Sequence, residues 1–157
     1  MEVEKIKGRI TTLGDNVTRN VNEGTGSVYS YIEFEGGRIV KNLHSMLGVD
    51  GHLRKAYETD EQVELHVATG GKIAKGIAML LAVQRVDGRI FGIAPASASG
   101  SGAFIGFAVL FLAGLVLLPV FGIGILAWIL LYNNWHKNSM ASEMKSYVAG
   151  IPGVIAL

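Results

Sequence analysis

The side chains able to do chemistry are few. His44, Asp50 and His52 stand close together, with His66 further along, and these types could ligate a metal ion or move protons. Their spacing matches no compact metal motif. Histidines eight residues apart do not share a helix face, and His-Glu-x-x-His is missing. A solvated or capping role is expected for them. Thr69-Gly70-Gly71-Lys72 holds a Gly-Gly-Lys without the full phosphate-cradling pattern, so it reads as a turn. Asp60, Glu61 and Glu64 read as a charged strand entry, and there is no Gly-x-Ser-x-Gly. With no cysteine in the chain, disulfides, thiolate metal sites and cysteine nucleophiles are excluded. No catalytic residue, metal site or cofactor is assigned, and the expectation is a protein that is not an enzyme.

The binding candidates are aromatic. Residues 27–35 alternate, with Val28, Ser30, Ile32 and Phe34 on one strand face and Tyr29, Tyr31, Glu33 and Glu35 on the other. Tyr29 and Tyr31, with His66 beside them, are the expected binding residues on the domain surface. Nucleic acid is not the expected partner. Residues 1–89 carry 12 Lys+Arg against 12 Asp+Glu, and Glu33 and Glu35 on the tyrosine face repel phosphate.

These side chains need a scaffold, and residues 1–93 read as mostly strands. Strands are expected at 4–13, 27–35, 38–41, 62–67, 77–84 and 90–93, with a short helix over 42–48, where Leu43, Met46 and Leu47 have helical spacing. Gly36-Gly37 and Val86-Asp87-Gly88-Arg89 are tight turns. Three strands, a short helix and two or three more strands match a small OB-like barrel of five or six strands. An SH3-like barrel or an open sheet is the alternative.

Charge divides the chain. Overall 17% of residues are charged, but residues 90–136 contain no Asp, Glu, Lys or Arg. The rest of the chain carries charge at about the globular norm of a quarter. Residues 94–102 are small and suit a flexible linker. Residues 103–132 form a 30-residue run whose sole ionisable side chain is Tyr132. Since ~18 or more apolar residues mark a membrane helix, this run is expected in lipid.

One straight helix of that length overshoots a bilayer, whereas two arms broken at Pro119 are each short. The break at 119–124, with Pro119, Gly122 and Gly124, argues for a re-entrant hairpin; the cost of turn backbone in lipid argues for one kinked span. Arg85 and Arg89 before the run equal Lys137 and Lys145 after it, so flanking charge leaves both open. Gly102, Gly106, Gly114, Pro119, Gly122 and Gly124 are the expected membrane-packing positions, with a GxxxG from Gly102 to Gly106. Trp128, Tyr132 and Trp135 are the expected interface belt. Beyond them, Met140, Met144, Tyr147, Val148 and Ile151 have the spacing of an amphipathic helix, for the interface, a partner or the protein's own barrel.

The expected organisation is therefore a β domain (1–93), a linker (94–102), a membrane helical hairpin or kinked helix (103–133) and an interfacial amphipathic tail (134–157). The N-terminus lacks the features of a secretory signal peptide. The expected site is a bacterial inner membrane, with the β domain in the cytosol. The expected function is a non-enzymatic, membrane-anchored interaction module whose barrel binds a protein or assembles with copies of itself. Behind it stand an oligomeric pore or channel built from the glycine-rich run, and a small-ligand or enzymatic domain tethered to the membrane. The lipid bilayer and a protein or second copy are the expected partners.

Overall fold

The computed structural model describes residues 1–21, 24–71, 73, 75–93 and 123–157. The elements in chain order are β1 (Glu2–Leu13), β2 (Asn16–Val21), β3 (Gly24–Phe34), β4 (Ile39–Met46), α1 (Leu47–Glu58), β5 (Gln62–Thr69), β6 (Ala78–Gln84), β7 (Ile90–Gly92), α2 (Ile123–Ala149) and β8 (Val154–Ala156). The chain forms two compact units. One is Met1–Pro95 with Glu143–Leu157, the other Ala96–Ser142.

Five strands of the first unit close into a barrel. β1 pairs antiparallel with β3 and β5, β3 with β4, and β5 with β6. A short parallel contact of β4 with β6, at Leu43↔Ala78 and His44↔Met79, completes the ring. Closure removes the open edges that such strands would otherwise expose. Ile6, Ile10, Ile32, Phe34, Leu43 and Leu65 form the core, each no more than 3% exposed. β2 extends β3 outside the ring as a hairpin. α1 packs against β1, β3, β4, β6 and β7, a set of strands presented together only at one end of the barrel. Its buried residues Val49, Leu53 and Ala56 lie at i, i+4 and i+7, the spacing of one helix face.

The helix expected over 42–48 is a strand as far as Met46. Asn42 has φ +50°, a left-handed conformation that Asn tolerates better than most residues. Leu43 and Ser45, at i and i+2, are the buried pair of this strand. β3 also departs from simple alternation. Tyr29 is buried, Ser30 and Tyr31 are both exposed, and burial resumes at Ile32 and Phe34. The expected assignment of Tyr29 to the outer face fails there. The turns at Gly36-Gly37 and Gly88 form as expected, with φ of +94°, +82° and +79°.

β6 is apolar on both faces, while β5 carries Glu64 and His66 among its apolar residues. Val63, Leu65, Val67 and Ala68 are buried on β5, and Ala78 and Leu80 through Val83 on β6. A barrel interior covers one face of a strand. The other is covered here by residues 143–157, where Met144 and Val148 are 3% and 4% exposed. β8 then pairs in parallel with β7, from Ile90↔Val154 to Gly92↔Ala156. At Gly92 the approach is close: an added Cβ would lie 2.7 Å from Val148 Cγ1 and 2.8 Å from Val154 Cγ2. The C-terminal residues thus belong to the barrel unit, where an interfacial tail was expected.

α2 runs from Ile123 to Ala149. Gly124 lies in its first turn. Gly102, Gly106, Gly114, Pro119 and Gly122, and with them most of the expected hairpin and its break, lie outside the described residues. Among the described residues, no helix is long and apolar enough to cross a membrane.

If residues 143–157 are part of the core, Met144→Ala and Leu65→Ala should destabilise the barrel alike, each by about 2–5 kcal/mol. Denaturant unfolding followed by circular dichroism measures both. A Met144→Ala effect within about 0.5 kcal/mol of zero, as for a surface position, contradicts the assignment.

Candidate functional site

The densest polar cluster lies where α1 meets β3. Asp50, in the first turn of α1, is 3% exposed. The Ser27 hydroxyl donates to Asp50 Oδ2 at 2.9 Å and the Tyr29 hydroxyl to Oδ1 at 2.7 Å. Arg54, one helical turn beyond Asp50, donates from Nε to Oδ2 at 2.9 Å and from Nη2 to Ser27 Oγ at 3.2 Å. Its guanidinium also sits 5.8 Å from the Tyr29 ring centroid. Hydrogen bonds to the carboxylate make its burial tolerable, since an uncompensated buried charge is costly. Strand β3 supplies Ser27 and Tyr29 at i, i+2, on one face; α1 supplies Asp50 and Arg54 at i, i+4, on one face.

This geometry holds α1 on the barrel. Burial, followed by the hydrogen bond to Asp50 and its charge, pushes the Tyr29 phenol up to about 12, so it stays protonated at neutral pH. Ser27 Oγ both donates to Asp50 and accepts from Arg54, so its proton and one lone pair are engaged.

A second cluster joins β5 to α2. His66 is 1% exposed, and its Nδ1 lies 2.9 Å from the Tyr147 hydroxyl. Its Nε2 faces Glu64 at 3.5 Å, and Glu64 is itself 3.5 Å from Lys5 Nζ. Burial, with the Lys5 charge second, lowers the His66 pKa and keeps the ring neutral. His52, on α1, stacks on Phe91 with ring centroids 3.5 Å apart. Its pKa is lowered too, by burial first and then by Arg85 and Lys55. Arg85 makes a two-pronged ion pair with Glu61, Nε to Oε2 at 3.0 Å and Nη2 to Oε1 at 2.5 Å, which ties the start of β5 to the end of β6.

Of the three binding residues expected on the barrel surface, Tyr31 alone is there, 38% exposed. Tyr29 and His66 are buried because each has a polar partner that a surface position would not need, Asp50 for the phenol and Tyr147 for the imidazole. His44 on β4, Asp50 in its cluster and His52 on Phe91 do not converge. Among the described residues no group of three or more such side chains could hold a metal ion. On α2, Tyr132 and Trp135 are 63% and 58% exposed, with ring centroids 6.5 Å apart; the Trp128 side chain lies outside the described residues. Arg54 and Tyr147 were not singled out as site residues from the sequence. Asp50–Arg54 spacing signals the pair once the helix is placed over Leu47–Glu58, whereas Tyr147 carries no local signal for His66, 81 residues away.

Comparison with family models, with curated proteins and with solved structures finds no match to this chain.

Asp50→Ala should lower the unfolding free energy by about 2–4 kcal/mol, because the Ser27 and Tyr29 hydroxyls lose their acceptor. Arg54, whose side chain is 42% exposed, is screened by solvent and adds little to this loss. In Asp50→Asn the phenol ionisation, followed by ultraviolet absorbance, should move down from about 12 toward the ordinary value of 10. An unmoved titration contradicts the Asp50 contact.

The His66 pKa lies below its unfolded value, so the unfolded chain binds the proton more tightly. The stabilisation from neutral His66 is complete above pH ~6.5 and is lost as pH falls through the folded pKa. His66→Gln should flatten this acid dependence in urea unfolding between pH 7 and 5, measured in a His52→Gln background to remove the second lowered imidazole. An unchanged slope contradicts the assignment.

Proposed function

We propose that this chain is a non-enzymatic, membrane-anchored interaction module, a small OB-type barrel held at a bilayer surface to bind a protein or a second copy of itself. The OB-type reading is supported by the strand order. The barrel strands run β1, β3, β4, β5, β6 in sequence, α1 falls between the third and fourth, and β4 closes on β6 in parallel.

The observation that carries the membrane reading is the exposure of Ile129, Tyr132 and Trp135 on α2, at 52%, 63% and 58%. Leaving three large apolar side chains in water forfeits about 1.5–3 kcal/mol each relative to burial. They sit where the uncharged run gives way to Asn133, Asn134, His136 and Lys137. Tyr and Trp favour that boundary between lipid and water. The run 103–132 leads directly into them.

A role without catalysis is supported by the Asp50 cluster, whose side chains bind one another and fasten α1. For the partner, Tyr31 is the exposed aromatic on the barrel strands, and its ring covers Gly14, whose added Cβ would lie 2.7 Å from ring carbons. A ring held in this way offers contact area at little entropic cost.

The test is the distribution of the full chain in cells. It should pellet with membranes, resist alkaline carbonate, and show tryptophan fluorescence quenched by brominated phospholipids after reconstitution. Chemical cross-linking in those membranes should give a dimer or a heteromeric adduct that Tyr31→Ala weakens. A chain recovered from the soluble fraction, with tryptophan emission unaffected by lipid, overturns the reading.

A further inference from the structure

In sequence, residues 96–142 are flanked on both sides by one compact unit, Met1–Pro95 with Glu143–Leu157. On the departing side, Ile93 is 2% exposed and its N–H donates to the Leu81 carbonyl at 2.9 Å. On the returning side, Met144 and Val148 are buried in the barrel unit, and the Leu157 N–H donates to the Gly92 carbonyl at 3.0 Å. β7, whose residues 90–92 open the uncharged block, and β8, the last described strand, are hydrogen-bonded neighbours. Paired strands lie ~4.8 Å apart, while the hydrocarbon of a bilayer is ~30 Å thick. β7 and β8 cannot be on opposite sides of a membrane while they are paired.

We infer that the uncharged block enters and leaves the bilayer through one face, so that the barrel, its N-terminal strands and its C-terminal strand all lie on a single side. This rests on the membrane reading above. It removes the single kinked span, which would carry residues 143–157 to the far side and strip the cover from β5 and β6. Two further observations agree. The flanking cations are equal in number, Arg85 and Arg89 before the block and Lys137 and Lys145 after it, as when both flanks stay on the cytoplasmic face. The barrel portion is evenly charged, with 12 Lys+Arg and 12 Asp+Glu in residues 1–89, and has no reason to enter lipid in part. The surface that meets the membrane is thus one leaflet, approached by the uncharged block from the barrel's side.

The absence of cysteine makes the test clean, since one introduced thiol labels one site. Val86→Cys, in the exposed turn before β7, reports the departing side, and Ile155→Cys, 43% exposed on β8, reports the returning side. Each full-length variant is expressed in bacterial cells and treated with a membrane-impermeant maleimide, in spheroplasts and in inverted inner-membrane vesicles. Both positions should label in the same preparation and be protected in the other, with label ratios between preparations agreeing within about twofold. Labelling of one position in spheroplasts and the other in inverted vesicles overturns the inference and leaves membrane attachment standing. Recovery of both variants in the soluble fraction overturns the membrane reading and this inference with it.

Discussion

Strand β6 is apolar on both faces, and a barrel can bury only one of them. Ala78 and Leu80 through Val83 are all buried, and on β5 beside it Val63 and Leu65 through Ala68 are buried. A soluble antiparallel barrel usually leaves its outer face polar. Here a second layer is obligatory, and residues 143–157 supply it. Met144 and Val148 are buried there, the Tyr147 hydroxyl meets His66 Nδ1, and β8 extends the sheet beyond β7. Residues far apart in sequence are thereby made parts of one core, and everything between them becomes an excursion that must come home.

Where α1 meets β3, the barrel is organised by charge. The Asp50 carboxylate is buried at the start of α1 and would be costly alone. Ser27, Tyr29 and Arg54 make it tolerable and, in doing so, fix how α1 sits on β3. The same bonds bury Tyr29. The barrel therefore has an apolar seam closed by the C-terminal residues and a polar latch that holds its helix, and its chemistry-bearing side chains are used mainly for these two purposes.

Much of this was legible in the residues. The strands of the barrel, the turns at Gly36-Gly37 and Gly88, and the presence of a single short helix among them follow from alternation and glycine placement. The errors have physical causes. Leu43 and Met46 of β4 fall at helical spacing with Leu47, the first residue of α1, and this drew the expected helix back into the strand. β2 has too few apolar residues to announce itself, because it hangs on the outside of the ring. Tyr29 looked like a surface aromatic because its partner, Asp50, is 21 residues away and on another element. The uninterrupted run 77–83 did carry the decisive signal. A strand apolar at every position asks for cover on both sides, but which residues provide it depends on tertiary contacts that no local pattern encodes.

The uncharged block then takes its meaning from its anchors. In the membrane reading we propose, exposed Tyr132 and Trp135 mark the water boundary, and the pairing of β7 with β8 brings the chain back to the side it left. All of this rests on the C-terminal residues being built into the barrel. Hydrogen exchange of the full chain in lipid, read by mass spectrometry on a peptide covering 150–157, tests that most directly. The amides of β8 and Leu157 should be protected to the same degree as those of β7, to which they are bonded. Exchange of that peptide at the rate of an unstructured chain, with β7 still protected, would contradict the account.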